Sequence, residues 1–187
     1  TDTWEGNLRR YLTAIEVLQR RYASERLMKR IPVKFPDGTD FTLSPGGQNV
    51  LVKQIIEEFC PRFTPGGIVL YVGDTAEKFA YRDKERLEEL GVQVAAHGKL
   101  PDVIIHYQEK GWLILIEAVT SHGPVSPKRR EELRGLFRTA KVPLVLVTAF
   151  PNRQVMKRYL GEIAWETEVW VAESPSHMIH FNGEQFL

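Results

Sequence analysis

Two apolar runs joined by a short polar turn constrain the fold of this chain most. The runs cover residues 102–107 and 112–120, and residues 108–111 form the turn between them. We expect an antiparallel hairpin in which Tyr107 pairs with Trp112. Both faces of these strands are largely apolar, and a strand that is covered on both faces lies in the middle of a sheet under helices. The hairpin is therefore predicted to form the centre of the sheet.

Each of the two runs contains a single carboxylate. Counting outward from the turn sets Asp102 opposite Glu117, and directly opposed residues have β-carbons about 4.5–5.5 Å apart. Two carboxylates at that spacing repel each other unless a cation lies between them, and Mg²⁺ suits such a pair. The pattern indicates a divalent metal site. An alternative stays open, in which Asp102 caps a turn after Pro101 and Glu117 bonds a nearby arginine.

Helices and strands alternate around this hairpin. An amphipathic helical segment is predicted at residues 4–29, followed by a Pro- and Gly-rich connection with a short hairpin at residues 37–38. Further helices are predicted at residues 48–59, 85–90, 127–140 and 154–160, the first of them ending at Pro61. Further strands are predicted at residues 68–72, 144–148, 169–172 and 178–181. This order predicts a three-layer α/β/α fold with a mixed sheet, and we place a domain boundary between residues 1–42 and 43–187.

Composition excludes several classes of protein. The chain has 187 residues, 43% of them hydrophobic, and its single cysteine excludes an internal disulfide or a cysteine-rich zinc site. The sequence shows no apolar run long enough to span a membrane and no signal peptide, so no membrane association and a cytoplasmic location are expected. Residues 1–34 contain eight Lys and Arg against four Asp and Glu. That basic helix face could follow a phosphate backbone, although a solvated face is the commoner explanation.

The helix predicted from residue 127 begins with an unusual concentration of positive charge. Ser126 is predicted as its N-cap and Pro127 as its first residue. Three cations then follow: Lys128, Arg129 and Arg130. The helix macrodipole is already positive at this end, so each cation costs roughly 0.3–1 kcal/mol unless an anion is nearby. A phosphate would relieve the repulsion, whereas pairing with Glu131 and Glu132 is the alternative.

Several longer motifs cover nearly all of residues 43–187. They are LSPGGQNVLVKQIIEEFCPRF, YVGDTAEKFAY, HGKLPDV, LIEAVTSHGPVSPKRREEL and VTAFPNRQVMKRYLGEIAWETEVWVAESPSHMIHFNGEQFL. In these motifs the chain resembles the BsuBI/PstI family of type II restriction endonucleases. The resemblance implies a restriction-endonuclease-like PD-(D/E)XK core, whose αβββαβ order agrees with the elements predicted above. Family members are longer and have a mainly helical N-terminal region, so residues 1–42 are expected to be the end of that region.

The resemblance also implies a set of metal-binding and catalytic residues. Asp102 and Glu117 become the catalytic carboxylates and metal ligands, and the carbonyl of Ala118 becomes a further ligand. Asp74, at the end of a strand expected beside Asp102, is a candidate to complete the metal shell. One or two Mg²⁺ ions are expected at each active site.

The lysine of the family motif is missing, because Val119 stands in its place. The cation near the attacking water is therefore expected from elsewhere, with Lys128 as the first choice and Lys99 as the second. For the residues that contact DNA, the candidates are Lys128, Arg129, Arg130, His122, Asn152 and Arg153. His122, Asn152 and Arg153 are equally suited to a structural role.

The activity that the resemblance implies is hydrolysis of palindromic double-stranded DNA with a divalent metal, leaving 5′-phosphate ends. The family's type members cut CTGCAG, which makes this sequence the candidate site. A homodimer with one active site per strand is expected, and a cognate methyltransferase would belong to the same system without binding the nuclease. Two alternatives stay open: a catalytically inactive nuclease-fold module that binds DNA, and a structure-specific repair or junction nuclease.

Overall fold

Helices and strands alternate along much of the described part of the chain. In the computed structural model, residues 2–76, 80–92 and 99–182 are described, so parts of the motifs YVGDTAEKFAY and HGKLPDV lie outside the described residues. The strands within this part are β1 (Ile31–Lys34), β2 (Asp40–Leu43), β3 (Ile68–Val72), β4 (Tyr81–Arg82), β5 (Val103–Tyr107), β6 (Trp112–Ala118), β7 (Leu144–Phe150), β8 (Thr167–Val171) and β9 (Met178–Phe181). The helices are α1 (Asp2–Met28), α2 (Gly47–Gln54), α3 (Cys60–Phe63), α4 (Lys84–Glu89), α5 (Pro127–Leu136) and α6 (Arg153–Tyr159), with a π-helical segment at Ile55–Phe59 and a 3₁₀ turn at Leu160–Glu162.

The chain divides into two compact units, Thr1–Arg30 and Ile31–Leu187. The first consists mainly of α1, which confirms the predicted helical segment, and large side chains such as Trp4, Tyr11 and Tyr22 are exposed on it. The β1–β2 hairpin belongs to the second unit, where Val33 and Phe35 are buried in an apolar cluster with α2. The domain boundary predicted after residue 42 stays a prediction for the longer protein.

Seven strands of the second unit form one mixed sheet in the order β4-β3-β5-β6-β7-β8-β9. The β6–β7 and β7–β8 pairs are parallel and the other pairs are antiparallel. The central hairpin has the predicted register, with Tyr107 opposite Trp112 and Val103 opposite Ile116. The mixed sheet and the central position of β5 and β6 are therefore confirmed.

Apolar clusters cover both faces of the sheet, as the alternation of residues in β5 and β6 predicts. Ile105, Ile114 and Ile116 point to one face, where they pack with residues of α2, the π-helical segment and α3. Ile104 and Leu115 point to the other face and pack with residues of α4 and α5. This arrangement confirms the three-layer α/β/α fold.

The helix predicted at residues 48–59 differs from the expectation at its C-terminal end. It continues through Pro61 to Phe63, and the π-helical segment ends at Phe59, two residues before the proline. Proline lacks an N–H group and its ring clashes with the carbonyl four residues earlier in a regular α-helix. The wider π turn changes the spacing of the carbonyls that precede Pro61, so the chain can remain helical there.

None of the helices in the described part of the chain is long and apolar enough to cross a membrane.

Candidate active site

Asp102 lies at the end of the central hairpin, immediately before β5. Because Val103 pairs with Ile116, the same register places Asp102 opposite Glu117. The Oδ2 atom of Asp102 accepts a hydrogen bond from the backbone N–H of Ala118 at 2.7 Å. Its Oδ1 atom accepts one from Nε2 of Gln48, on α2, at 3.0 Å. One contact from β6 and one from α2 therefore hold this carboxylate in one orientation.

Glu117 lies near the end of β6, and its side chain meets α5. The Nε and Nη2 atoms of Arg129 donate to Oε1 of Glu117 at 2.8 and 2.6 Å. Among the described residues, no hydrogen-bond partner is present for the second oxygen, Oε2. The alternative in which Glu117 bonds a nearby arginine is thus part of the site, and one oxygen of this carboxylate remains for another ligand.

Burial shifts the titration of both carboxylates. It raises the pKa of Asp102, while the N–H of Ala118 and the amide of Gln48 act in the opposite direction. It raises the pKa of Glu117 to about 7, against the lowering effect of Arg129. Carboxyl groups whose pKa values are shifted by burial and by nearby charges cluster at functional sites.

These donor atoms fit a Mg²⁺ ion. Magnesium takes oxygen ligands and uses one or two protein carboxylates, with water and phosphate oxygens for the remaining positions. The site offers Oε2 of Glu117 and the carboxylate of Asp102 on opposed residues. The described residues include no group of three or more His, Cys, Asp or Glu that could hold a metal ion.

Two other predicted metal ligands have different surroundings. The Oδ2 atom of Asp74 accepts the N–H of Ser44 at 2.7 Å, and its Oδ1 atom accepts the N–H of Ala76 at 2.7 Å. Asp74 therefore organises the loop after β3. Ala118 contacts Asp102 through its backbone N–H. The roles of Asp74 and of the Ala118 carbonyl as metal ligands stay predictions.

All three cations at the start of α5 have acidic partners. Ser126 caps the helix by accepting from the N–H of Arg129, and Pro127 is the first helical residue, as predicted. Lys128 is 89% exposed and its Nζ atom lies 3.9 Å from Oε1 of Glu132. Arg130 pairs with Glu131 and Glu166. Pairing with acidic residues, the alternative to a phosphate site, is therefore present.

The remaining predicted DNA contacts lie in the loop after β6 and at the N-terminus of α6. His122 is exposed and its Nδ1 atom lies 3.3 Å from Oγ of Ser121. Asn152 caps α6 by accepting from the N–H of Val155 at 2.9 Å. Arg153 is 74% exposed and forms an ion pair with Glu173 at 3.2 Å. None of these contacts tests a role in DNA binding, which stays a prediction for all three predicted residues.

The contact of Gln48 with Asp102 was not predicted from the sequence, and Arg129 was predicted as a DNA contact and not as the arginine that meets Glu117. Gln48 precedes Asp102 by 54 residues, and only its place in the helix-starting segment GGQN was visible in the sequence. Val119, at the place of the motif lysine, is buried in an apolar cluster with Phe150 and Ile163. The cation that contacts Glu117 therefore comes from α5 instead of β6.

The fold and the opposed carboxylates define the class of protein. The structure of SdaI restriction endonuclease is similar to this one with a TM-score of 0.80 and 47% sequence identity, over 90% of this chain and 53% of that chain. This similarity confirms the restriction-endonuclease-like fold. The family model for the BsuBI/PstI restriction endonuclease domain matches residues 31–184, and the chain belongs to that family.

Two type II restriction enzymes are similar to this chain in sequence. The type II restriction enzyme BsuBI of Bacillus subtilis is 54% identical over 187 residues, which are 100% of this chain and 59% of that protein. The type II restriction enzyme AplI of Arthrospira platensis is 34% identical over 188 residues, covering 96% of this chain and 57% of that protein. The chain thus spans somewhat more than half the length of the relatives that it matches.

Proposed function

We propose that this chain carries the catalytic site of a type II restriction endonuclease that hydrolyses palindromic double-stranded DNA. Water would add to the phosphorus as the bond to the 3′ oxygen breaks, which leaves a 5′-phosphate and a 3′-hydroxyl. The observation that carries the proposal is the opposition of Asp102 and Glu117 at the end of the central hairpin, with one oxygen of Glu117 unengaged by the described residues. Membership of the BsuBI/PstI family supports it.

The two carboxylates would hold one or two Mg²⁺ ions, with the Ala118 carbonyl as a further ligand. When bound, the metal would lower the pKa of the attacking water and offset negative charge on the phosphate and the departing 3′ oxygen. Gln48 and the N–H of Ala118 keep the carboxylate of Asp102 in one orientation. A ligand that is already oriented needs little reorganisation when it binds.

Exposed basic residues would contact the DNA backbone. Lys128 is the candidate that would orient the water and offset charge, because its side chain is 89% exposed and it is adjacent to Arg129, which contacts Glu117. Arg153, the first residue of α6, and His122, in the loop after β6, are exposed and are further candidates. Phosphate contacts of this kind position the duplex and make binding salt-dependent.

A palindromic site is matched by two copies of the protein related by a two-fold axis, each acting on one strand. We therefore propose a homodimer as the active form. A methyltransferase of the same system would modify the same sequence without binding the nuclease.

The proposal predicts magnesium-dependent cutting by the purified chain. We expect cleavage of a plasmid with one CTGCAG sequence in Mg²⁺ and none in EDTA, and we expect the Glu117→Gln variant to be inactive. A plasmid that differs by one base in this sequence is the matched control, and mapping the ends tests for 5′-phosphates. Cutting of both plasmids at one other sequence would support the nuclease and reject CTGCAG.

Other outcomes of this experiment favour the alternatives. Binding to duplex DNA without cutting at any magnesium concentration would indicate an inactive DNA-binding module. Preferential cutting of branched DNA over plain duplex would indicate a repair or junction nuclease. Either result would reject the restriction activity of this chain.

Replacing Lys128 with Met is expected to slow cleavage about 10- to 100-fold, because a hydrogen bond to a charged group contributes roughly 1.5–3 kcal/mol. Single-turnover cleavage at saturating Mg²⁺ measures the effect. Lys157→Met, which removes an exposed lysine from α6, is the control and should cut within threefold of the wild type. A Lys128→Met rate within threefold of the wild type would contradict the role of Lys128.

A further inference from the structure

Arg129 connects the two acidic segments of the candidate site. Its Nε and Nη2 atoms donate to Oε1 of Glu117, and Nη2 also donates to the backbone carbonyl of Lys99 at 2.8 Å. Lys99 begins the short segment that leads to Asp102. One guanidinium group therefore contacts both the end of β6 and the chain immediately before β5.

The surroundings of Arg129 differ from those of a DNA contact. Its side chain is only 12% exposed, whereas that of the adjacent Lys128 is 89% exposed. Its third nitrogen, Nη1, lies 3.4 Å from Oε2 of Glu132. All three guanidinium nitrogens thus have protein partners, and a fork of donors with fixed geometry suits simultaneous contacts to a carboxylate and a carbonyl.

The contacts of Arg129 leave one oxygen of Glu117 available for a metal ion. Both hydrogen bonds to Glu117 go to the same oxygen, Oε1. The other oxygen, Oε2, accepts no hydrogen bond from the described residues and remains available to another ligand. The positive charge of Arg129 also offsets the repulsion between Glu117 and Asp102, a function that the buried Val119 cannot supply from the place of the motif lysine.

We propose that Arg129 is a positioning residue, which holds Glu117 by one oxygen and the Lys99–Asp102 segment by a carbonyl, so that the two carboxylates stay opposed with Oε2 of Glu117 turned to the metal. This inference rests on the proposed function, since the benefit of the geometry is catalytic. In this proposal Arg129 acts through Glu117 and the Lys99 carbonyl, in place of the DNA contact predicted for it from the sequence. A displacement of about 1 Å at a catalytic group can cost about 100-fold in rate, which sets the size of the expected effect.

The test compares Arg129→Ala with Arg134→Ala, which removes an arginine of the same helix that contacts Glu166 instead of the carboxylates. For Arg129→Ala we expect a cleavage rate at saturating Mg²⁺ about 100-fold below that of the wild type. DNA affinity in Ca²⁺ should stay within threefold of the wild-type value. Millimolar guanidinium ions should raise the cleavage rate of Arg129→Ala at least tenfold. Methylammonium at the same concentration should not. Arg134→Ala should cut within threefold of the wild type.

A second readout does not depend on cleavage. Amide hydrogen exchange of the metal-free protein should become faster in peptides that cover residues 99–103 in Arg129→Ala and stay unchanged in Arg134→Ala. Arg129→Lys, which keeps the charge but not the fork, should show an intermediate exchange rate, and it also serves if the alanine variant does not fold.

The results separate failure of the inference from failure of the proposed function. Arg129→Ala with wild-type cleavage, or with a tenfold loss of DNA affinity, would overturn the positioning role. If the wild type itself does not cut, the proposed function is rejected, and the exchange rates decide alone whether Arg129 holds the two segments. Unchanged exchange in both Arg129 variants would then overturn the inference.

Discussion

Replacing Asp102 with Asn is expected to lower the rate of magnesium-dependent cleavage at least about 1,000-fold, which corresponds to about 4 kcal/mol of activation free energy. Asparagine has nearly the same shape, and its carbonyl oxygen can accept the N–H of Ala118 as the carboxylate does. Gln48 can turn its own amide oxygen toward the new NH₂ group. The substitution therefore removes the negative charge of the metal ligand and leaves the hydrogen bonds of the hairpin in place.

Single-turnover cleavage measures this loss, and a matched control is available in Asp83. Asp83 caps α4 by accepting from the N–H of Arg86, and asparagine is an equally good N-cap residue, so Asp83→Asn should cut within threefold of the wild type. Thermal unfolding of both variants should show a folded protein. A rate for Asp102→Asn within tenfold of the wild type would contradict the assignment of Asp102 as a metal ligand.

Replacing Glu117 with Gln is expected to stabilise the metal-free protein increasingly as the pH rises. Burial raises the pKa of Glu117 from 4.5 to about 7, so the folded protein binds the proton more tightly than the unfolded chain. The stabilisation from this proton is fully present below pH 4.5 and is lost as the pH rises through about 7. Glutamine does not titrate and can still accept from Arg129, so the variant avoids this loss.

The free energy of unfolding in urea, measured in EDTA from pH 4.5 to 8.5, tests this expectation. The stability difference between Glu117→Gln and the wild type should grow by up to about 3 kcal/mol across this range. The control is Glu131→Gln, at an exposed position of α5, for which the difference should stay within about 0.5 kcal/mol. A difference for Glu117→Gln that does not change with pH would contradict the raised pKa.

The central hairpin was the most predictable part of the structure. Its strands alternate with a period of two, and the four-residue turn sets the register, so the opposition of Asp102 and Glu117 follows from the sequence alone. The Ser126 cap was equally predictable, because capping depends on neighbouring residues. The helical path through Pro61 was not, since proline ordinarily ends a helix and the π turn that accommodates it leaves no clear sequence pattern.

The cation that contacts Glu117 could not be predicted in the same way. Lys128 and Arg129 are adjacent in the first turn of α5, and successive residues of a helix point about 100° apart. Which of them meets the carboxylate depends on how α5 is rotated against the sheet, which is decided by packing of residues such as Leu133 and Phe137. The contact between Gln48 and Asp102 depends on tertiary packing for the same reason.

The apolar character of β5 and β6 on both faces has a consequence for folding. A strand with one polar face is held in register because a slip by one residue would bury its polar side chains, but a hairpin of Val, Ile and Leu residues loses little apolar contact in such a slip. Glu117 breaks this degeneracy. A slip by one residue would turn it away from Arg129 and into the opposite apolar layer, where an unpaired carboxylate is costly. Glu117 would thus reinforce, as the chain folds and before any DNA is bound, the strand pairing that the turn sets.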